Sequence, residues 1–294
     1  MQGKIIENIS NLYKVRAEDT IYEATARGKF KKDEITPVVG DNVEIEIIDM
    51  KAKKAVIEKI ENRKIYVKRP KLANISQIIL VVSSKNPKPD LLMLDKQLAF
   101  SEFLGIKSVI ILNKTDLDNK QEFKNIKDIY EKIGYKVIET NAKEQNGVQQ
   151  LQNVLNGNIN AFSGNSGVGK STLINALFKK DITEEGEISK KNKRGKNTTT
   201  STKLYEIEND TFIADTPGFS TFDISEIESK NLANYFKEFE PYIQNCEFIG
   251  CTHIKEENCG IKKAIQEDKI SKDRYNRFCK IYEELKQKEE RKKW

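Results

Sequence analysis

Residues 164–172 read Gly-Asn-Ser-Gly-Val-Gly-Lys-Ser-Thr, a run whose glycines, lysine and hydroxyls suit one task. Glycines let successive backbone N–H groups curl around an anion, and a helix N-terminus directs its dipole at the same point. In this pattern Gly164, Asn165, Ser166, Gly167, Val168 and Gly169 form a phosphate cradle. Lys170 is expected to reach the terminal phosphates as the catalytic charge, and Ser171, followed by Thr172, to ligate Mg²⁺. The context separates this run from an ordinary glycine-rich turn. Apolar residues 160–163 precede it as a strand, and a helical pattern over 170–178 follows.

A phosphate cradle does not choose a base. Asn113-Lys114-Thr115-Asp116 follows the apolar run 109–112, as a base-reading loop should. The Asp116 carboxylate can accept from both N1–H and the exocyclic amine of guanine. Adenine has its donors reversed and would leave that carboxylate unpaired. Asn113 is expected to tie the loop to neighbouring backbone and the Lys114 stem to lie against the base, with Thr115 in the same loop. Thr140-Asn141-Ala142-Lys143 is similar to the Ser-Ala-Lys turn of GTPases, where the alanine N–H meets guanine O6. Asp215-Thr216-Pro217-Gly218 matches the D-x-x-G switch pattern, with Asp215 holding Mg²⁺ through water and the Gly218 N–H sensing the γ-phosphate. Residues 188–203 are basic and polar and lack any acidic side chain. They must contain the first switch, and Thr199, with Thr198 as second choice, is the expected Mg²⁺ ligand there. The expected ligands are thus GTP or GDP with Mg²⁺. Phe219 stands where many GTPases carry a water-orienting glutamine, and an apolar group cannot position the attacking water. Slow intrinsic hydrolysis, accelerated by a partner, is expected.

The order of these motifs is unusual. The guanine motifs precede the phosphate loop and D-x-x-G comes last, so the domain reads as circularly permuted, which a sheet survives if its original termini lay close together. The second switch then runs directly into the C-terminal segment. There Cys246, Cys251, His253 and Cys259 gather three of the four cysteines and the only histidine. Three thiolates and an imidazole make a closed structural zinc set. Disulfides, disfavoured in a reducing compartment, and unrelated buried thiols are the alternatives.

Elements must position these groups. In the 294-residue chain, segments 4–9, 12–17, 21–25, 43–48 and 55–60 are short β-rich runs. Five strands in about seventy residues suggest a small closed barrel over 1–70. Residues 62–74, rich in Lys and Arg, read as a linker. Apolar strands at 78–83, 108–112, 136–140 and 160–163 then alternate with helical patterns at 91–104, 122–133 and 148–155, the signature of a parallel sheet in an α/β domain over 71–222. Strands follow at 203–207 and 212–214. From 223 to 294 the expected domain is helical, with periodicity at 231–239 and 262–288 around the cysteine cluster. Net charge is +3 over 1–70, −2 over 71–260 and +5 over 261–294. Basic ends suit RNA binding, and lysine-rich solvated faces are the alternative. No apolar run of membrane-spanning length and no secretory signal is read, so the expected compartment is the cytoplasm, without a membrane partner.

Taken together, the permuted order, G-N-S-G-V-G-K-S, D-T-P-G-F, N-K-T-D, the Cys246/Cys251/His253/Cys259 spacing and the β-rich start resemble the small-ribosomal-subunit-dependent GTPases, the RsgA family. The resemblance covers essentially the whole chain. It implies an N-terminal OB-fold barrel, a permuted P-loop GTPase domain and a zinc-binding C-terminal domain. It further implies a partner of the small ribosomal subunit and its rRNA, acting late in maturation, whose GTP hydrolysis the subunit stimulates; a monomer is the expected state. One departure stands out. The family's first switch usually reads G-R-H-T-T, with a proposed catalytic histidine, whereas this chain has Gly195-Lys196-Asn197-Thr198-Thr199. Asparagine can orient a water but cannot take its proton. Either Asn197 positions the water passively, or hydrolysis leans harder on the ribosome. A scaffold that binds RNA and keeps GTP as a structural ligand is the competing expectation.

Overall fold

The computed structural model describes residues 1–28, 30, 35–68, 70–117, 121–178, 202–208, 210–215 and 224–291. The chain forms two compact units: Met1–Ile79, Ala142–Ser163 and Gly169–Ser220 in the first, Leu80–Asn141, Gly164–Val168 and Thr221–Trp294 in the second.

The first unit opens with strands β1 (Gln2–Ile9), β2 (Leu12–Ala17), β3 (Thr20–Ala26), β4 (Asn42–Asp49) and β5 (Lys54–Ile60). Period-two alternation sends one side of each inward. Ile5, Val15, Ala24, Val43 and Ile57 are completely buried. β1 pairs with β2, β2 with β3, β3 with β5, β5 with β4, and β4 again with β1. The ring is closed and OB-like, and closure removes the free edges that five short strands would otherwise leave. Residues 62–74 are not a plain linker. They contain the antiparallel hairpin β6 (Tyr66–Lys68) and β7 (Lys71–Ala73), held by the buried Val67 and Leu72. Arg63 is fixed alongside, donating to both Asp41 carboxylate oxygens at 2.7 and 2.8 Å.

β8 (Gln77–Ser83) begins in the first unit and ends in the second. The second unit continues through helix α1 (Leu91–Leu104), β9 (Lys107–Asn113), α2 (Gln121–Lys132) and β10 (Lys136–Thr140), with β9 and β10 parallel. The chain returns to the first unit with α3 (Val148–Leu155), β11 (Ile159–Ser163), α4 (Lys170–Leu177), β12 (Lys203–Glu206) and β13 (Phe212–Asp215). β11 and β13 are parallel, β12 is antiparallel to β13, and β12 also meets β1 at Lys203 opposite Glu7. β8 and β11 are buried along their whole length, which explains their unbroken apolar runs.

Past residue 223 the second unit has no strand among the described residues. The expected helix at 231–239 is instead two 3-10 segments, Ser229–Tyr235 and Lys237–Phe239. After α5 (Glu240–Ile243), the expected helix at 262–288 is broken into α6 (Gly260–Gln266) and α7 (Lys272–Arg291). The break has a local cause. Asp268 takes a left-handed φ of 55°, and Ser271 restarts the helix, its Oγ accepting from Arg274 N at 3.4 Å. α1, the 3-10 segments, α6 and α7 share one core that includes Phe100, Leu232, Phe236, Phe239, Ile261 and Phe278. Within it Asp95 of α1, fully buried, accepts from Arg274, Arg277 and the Tyr130 hydroxyl. Arg274 is itself buried, also pairs with Glu238 and lies over the Tyr130 and Phe236 rings. Burial alone would lower its pKa, but Asp95 and Glu238 hold it well above the ordinary arginine value.

Candidate functional site

Asn113 is the last residue of β9, opposite Thr140 at the end of β10. Its buried side chain joins three segments: Nδ2 donates to Val168 O at 2.9 Å, and Oδ1 accepts from Thr140 Oγ1 at 3.0 Å. Lys114 follows in a left-handed conformation, φ 65°, its carbonyl held by Ser84 Oγ at 2.8 Å. Its ammonium donates to Gly167 O at 2.6 Å and to Asn86 O, so the base loop and the phosphate loop are laced together by two side chains. Thr115 Oγ1 donates to Thr140 O at 3.4 Å, and Asp116 lies exposed in the 3-10 turn Thr115–Leu117. Ala142 is buried just past β10.

The phosphate loop is shaped by its glycines. Gly164 has φ 142°, and a Cβ there would stand 2.3 Å from Val81 O on β8. Gly164→Ala should therefore push the loop off β8 and lower guanine-nucleotide affinity by at least about tenfold, roughly 1.4 kcal/mol. Titration with a fluorescent GDP analogue tests this, and unchanged affinity would refute the close-approach argument. Gly167 (φ 81°) and Gly169 (φ 99°) supply the remaining left-handed turns, Gly169 standing directly before α4. Val168 is buried, Ser166 exposed, and the Asn165 side chain donates to Asp90 Oδ2 at 3.2 Å. Asp90 also caps α1, accepting from Met93 N at 2.9 Å. Sequence reading missed this residue, although an aspartate directly before a helical pattern is a capping signal.

Lys170, Ser171 and Thr172 form the first turn of α4, the two hydroxyl residues exposed. Partial burial pushes the Lys170 ammonium below the ordinary lysine pKa. The parallel register sets Ala161 of β11 opposite Ala214 of β13, so Asp215 leaves the sheet at the edge from which Ser163 leads into the phosphate loop. Asn197, Thr198, Thr199, Gly218 and Phe219 lie outside the described residues.

The ligand atoms of Cys246, Cys251, His253 and Cys259 all lie within 4.8 Å of one another. Three separations are 3.5 Å (Cys246 Sγ to His253 Nδ1), 3.4 Å (His253 Nδ1 to Cys259 Sγ) and 3.9 Å (Cys246 Sγ to Cys259 Sγ). A tetrahedral zinc with bonds of about 2.3 Å to sulfur and 2.0 Å to nitrogen has edges of about 3.8 and 3.5 Å. A disulfide would need about 2.0 Å. The donor set fits one tetrahedral cation, and all four cysteines of the chain are free thiols. Burial, then the neighbouring Cys259 and Cys246 sulfurs, pushes the Cys251 thiol up to about 12, while burial lowers the His253 imidazole pKa, toward the neutral form that ligates. Such packed thiols ionise readily only when a cation compensates them.

Glu256 organises the turn that carries His253. It accepts from Thr252 N and Oγ1, both at 2.9 Å, and from Ile254 N and Lys255 N, both at 3.1 Å. Burial would raise its pKa, but these donors hold it down to about 2. Glu256→Ala should weaken the binding of a metal ion by the cluster by about 10- to 100-fold. Competition with a colorimetric chelator measures this, and an unaltered affinity would show that the turn holds without the carboxylate.

A strand, a glycine-rich loop and a helix, with an asparagine bonded to that loop from an earlier strand, define a P-loop GTPase domain in permuted order. The chain belongs to the RsgA family, matching the RsgA GTPase over residues 60–225 and the RsgA N-terminal domain over residues 2–57. It is 40% identical to the small ribosomal subunit biogenesis GTPase RsgA of Alkaliphilus metalliredigens, over 97% of this chain and 98% of that one. It is 43% identical to the protein of that name from Clostridium novyi, over 97% of each. Among solved structures it is similar to YjeQ from Thermotoga maritima, with 32% identity, TM-score 0.83, and coverage of 97% and 98%. It is also similar to YloQ, a circularly permuted GTPase, with 27% identity, TM-score 0.82, and coverage of 98% and 95%. As a member of this family the chain is a GTP hydrolase. No helix among the described residues is long and apolar enough to cross a membrane.

Proposed function

We propose that this chain binds the small ribosomal subunit and its rRNA in the cytoplasm, as a monomer, late in subunit maturation, and that the subunit stimulates its hydrolysis of GTP to GDP and phosphate. The observation that carries the reading is the end-to-end similarity to relatives named for small-subunit biogenesis, joined to a P loop and base loop that Asn113 and Lys114 hold together. Residues 1–70 would grip RNA as an OB-fold domain, 71–222 would bind GTP, and 223–294 would form the zinc-binding domain.

Asp116 would accept from the two guanine donors, and the Ala142 N–H would donate to O6. The loop from Gly164 to Gly169 would enclose the phosphates with its N–H groups, and Lys170 would balance charge that develops on them. Ser171 and Thr199 would ligate Mg²⁺, Asp215 would hold it through water, and the Gly218 N–H would sense the γ-phosphate. When bound, Mg²⁺ neutralises charge on the β and γ oxygens. Asn197 would hold the attacking water without taking its proton, which leaves a shortfall for the ribosome to make up. Cys246, Cys251, His253 and Cys259 would hold one structural Zn²⁺ with no open position.

The test is sedimentation with purified small subunits in a non-hydrolysable GTP analogue and in GDP. Tighter association in the GTP analogue is expected. Equal association in both would refute a nucleotide switch, and GTP turnover unmoved by subunits would refute stimulation.

A further inference from the structure

Resting on that reading of the partner, we propose that Phe248 and Ile249 form a rigid apolar anchor that inserts into a protein component of the small subunit, one with a basic rim, and not into its RNA. Ile249 is 107% and Phe248 57% exposed, at the tip of the loop between two members of the cysteine–histidine cluster. Apolar side chains displayed this openly act against solubility, and buried aromatic and aliphatic anchors are where interfaces concentrate their binding energy.

The tip is pinned from both sides. Cys246 N donates to Ile243 O at 3.2 Å, Glu247 N to Asn258 O at 3.2 Å, and Cys251 N to Phe248 O at 3.3 Å. Asn258 Nδ2 also donates to Glu247 Oε2 at 2.7 Å, and Gly250 (φ 78°) makes the turn. Little order remains to be imposed on docking, so most of the burial energy is available for affinity.

Charge decides the partner class. Phenylalanine can stack on an RNA base, but stacking platforms sit in positively charged grooves. Across residues 247–258 the charged groups are Glu247, Glu256 and Glu257 against Lys255, in a chain whose net charge is +6. Within the loop itself the acidic excess disfavours phosphates. The hollow beside the tip is lined by Glu247 and Glu257 together with Lys262 and Lys263. An apolar centre with a mixed polar rim is the anatomy of a protein–protein contact, and the acidic excess of the loop favours a basic counterpart.

The test places a photoreactive diazirine side chain at Ile249 in the full chain, bound to small subunits with a non-hydrolysable GTP analogue. Adducts destroyed by protease and resistant to ribonuclease are expected. Cross-links to RNA, or none while the chain co-sediments, overturn the anchor and leave the partner reading intact. Loss of co-sedimentation by the unmodified chain overturns both. In parallel, Phe248→Ser with Ile249→Ser should lower subunit affinity at least about tenfold, with metal content and subunit-free GTP turnover unchanged. Unchanged subunit affinity in that variant also overturns the anchor.

Discussion

Asp95→Ala should lower the unfolding free energy by about 3–5 kcal/mol, because it strips a buried carboxylate from one fully buried and one largely covered arginine. Arg274 is 1% exposed and Arg277 is largely covered, and Asp95 accepts from both. Glu238 would still pair with Arg274 in the variant, whereas Arg277 would lose the carboxylate that now neutralises it. The penalty thus comes from stranded charge more than from a missing contact. It follows that replacing the whole group by apolar residues of similar volume (Asp95→Leu, Glu238→Leu, Arg274→Met and Arg277→Leu, with Tyr130→Phe) should recover most of the lost stability, since a buried ion cluster gains little over good packing. Chemical denaturation of the three forms checks this. A loss below about 1 kcal/mol for Asp95→Ala would mean that water reaches the arginines once the carboxylate is gone.

Lys170→Ala should reduce subunit-stimulated GTP turnover by about 10²–10³-fold, the usual consequence of removing one preorganised charge or donor from a transition state. Its pH dependence separates this role from simple packing. In the nucleotide-free protein burial lowers the Lys170 pKa, while bound phosphates would raise it. GTP affinity is therefore flat at pH values below the free-protein pKa and declines as pH climbs through it toward the bound-state value. Fluorescent-nucleotide titrations across that alkaline window should show the decline in the native chain and not in Lys170→Ala. The same decline in both would assign it to another group.

Much of this architecture was readable because its signals are local. The barrel strands alternate with period two, the sheet strands are unbroken apolar runs, and the phosphate loop is a fixed spacing before a helix. The β6–β7 hairpin was not readable, since three-residue strands with exposed lysines at both ends of the turn mimic a solvated linker. Ser271 could have marked the break between α6 and α7, but the periodic pattern on either side of it outweighed one capping residue. The remaining features depend on partners distant in sequence. Asn165 meets Asp90 across 75 positions and Arg274 meets Asp95 across 179. Polar side chains of this kind look ordinarily solvated in the sequence until tertiary packing brings their partners to them.

The single pairing of Glu7 with Lys203 carries a mechanical implication. β12 emerges immediately after the segment 188–203 in which the first switch is expected, and it is hydrogen-bonded to the first barrel strand. Arg16 of β2 adds a 2.9 Å ion pair to Glu206 at the far end of β12. A strain on β12 would therefore reach β1 through that backbone pairing and β2 through the Arg16 ion pair, without passing through a flexible tether. The barrel and the nucleotide-bearing strands are thus joined by backbone and by charge at both ends of β12.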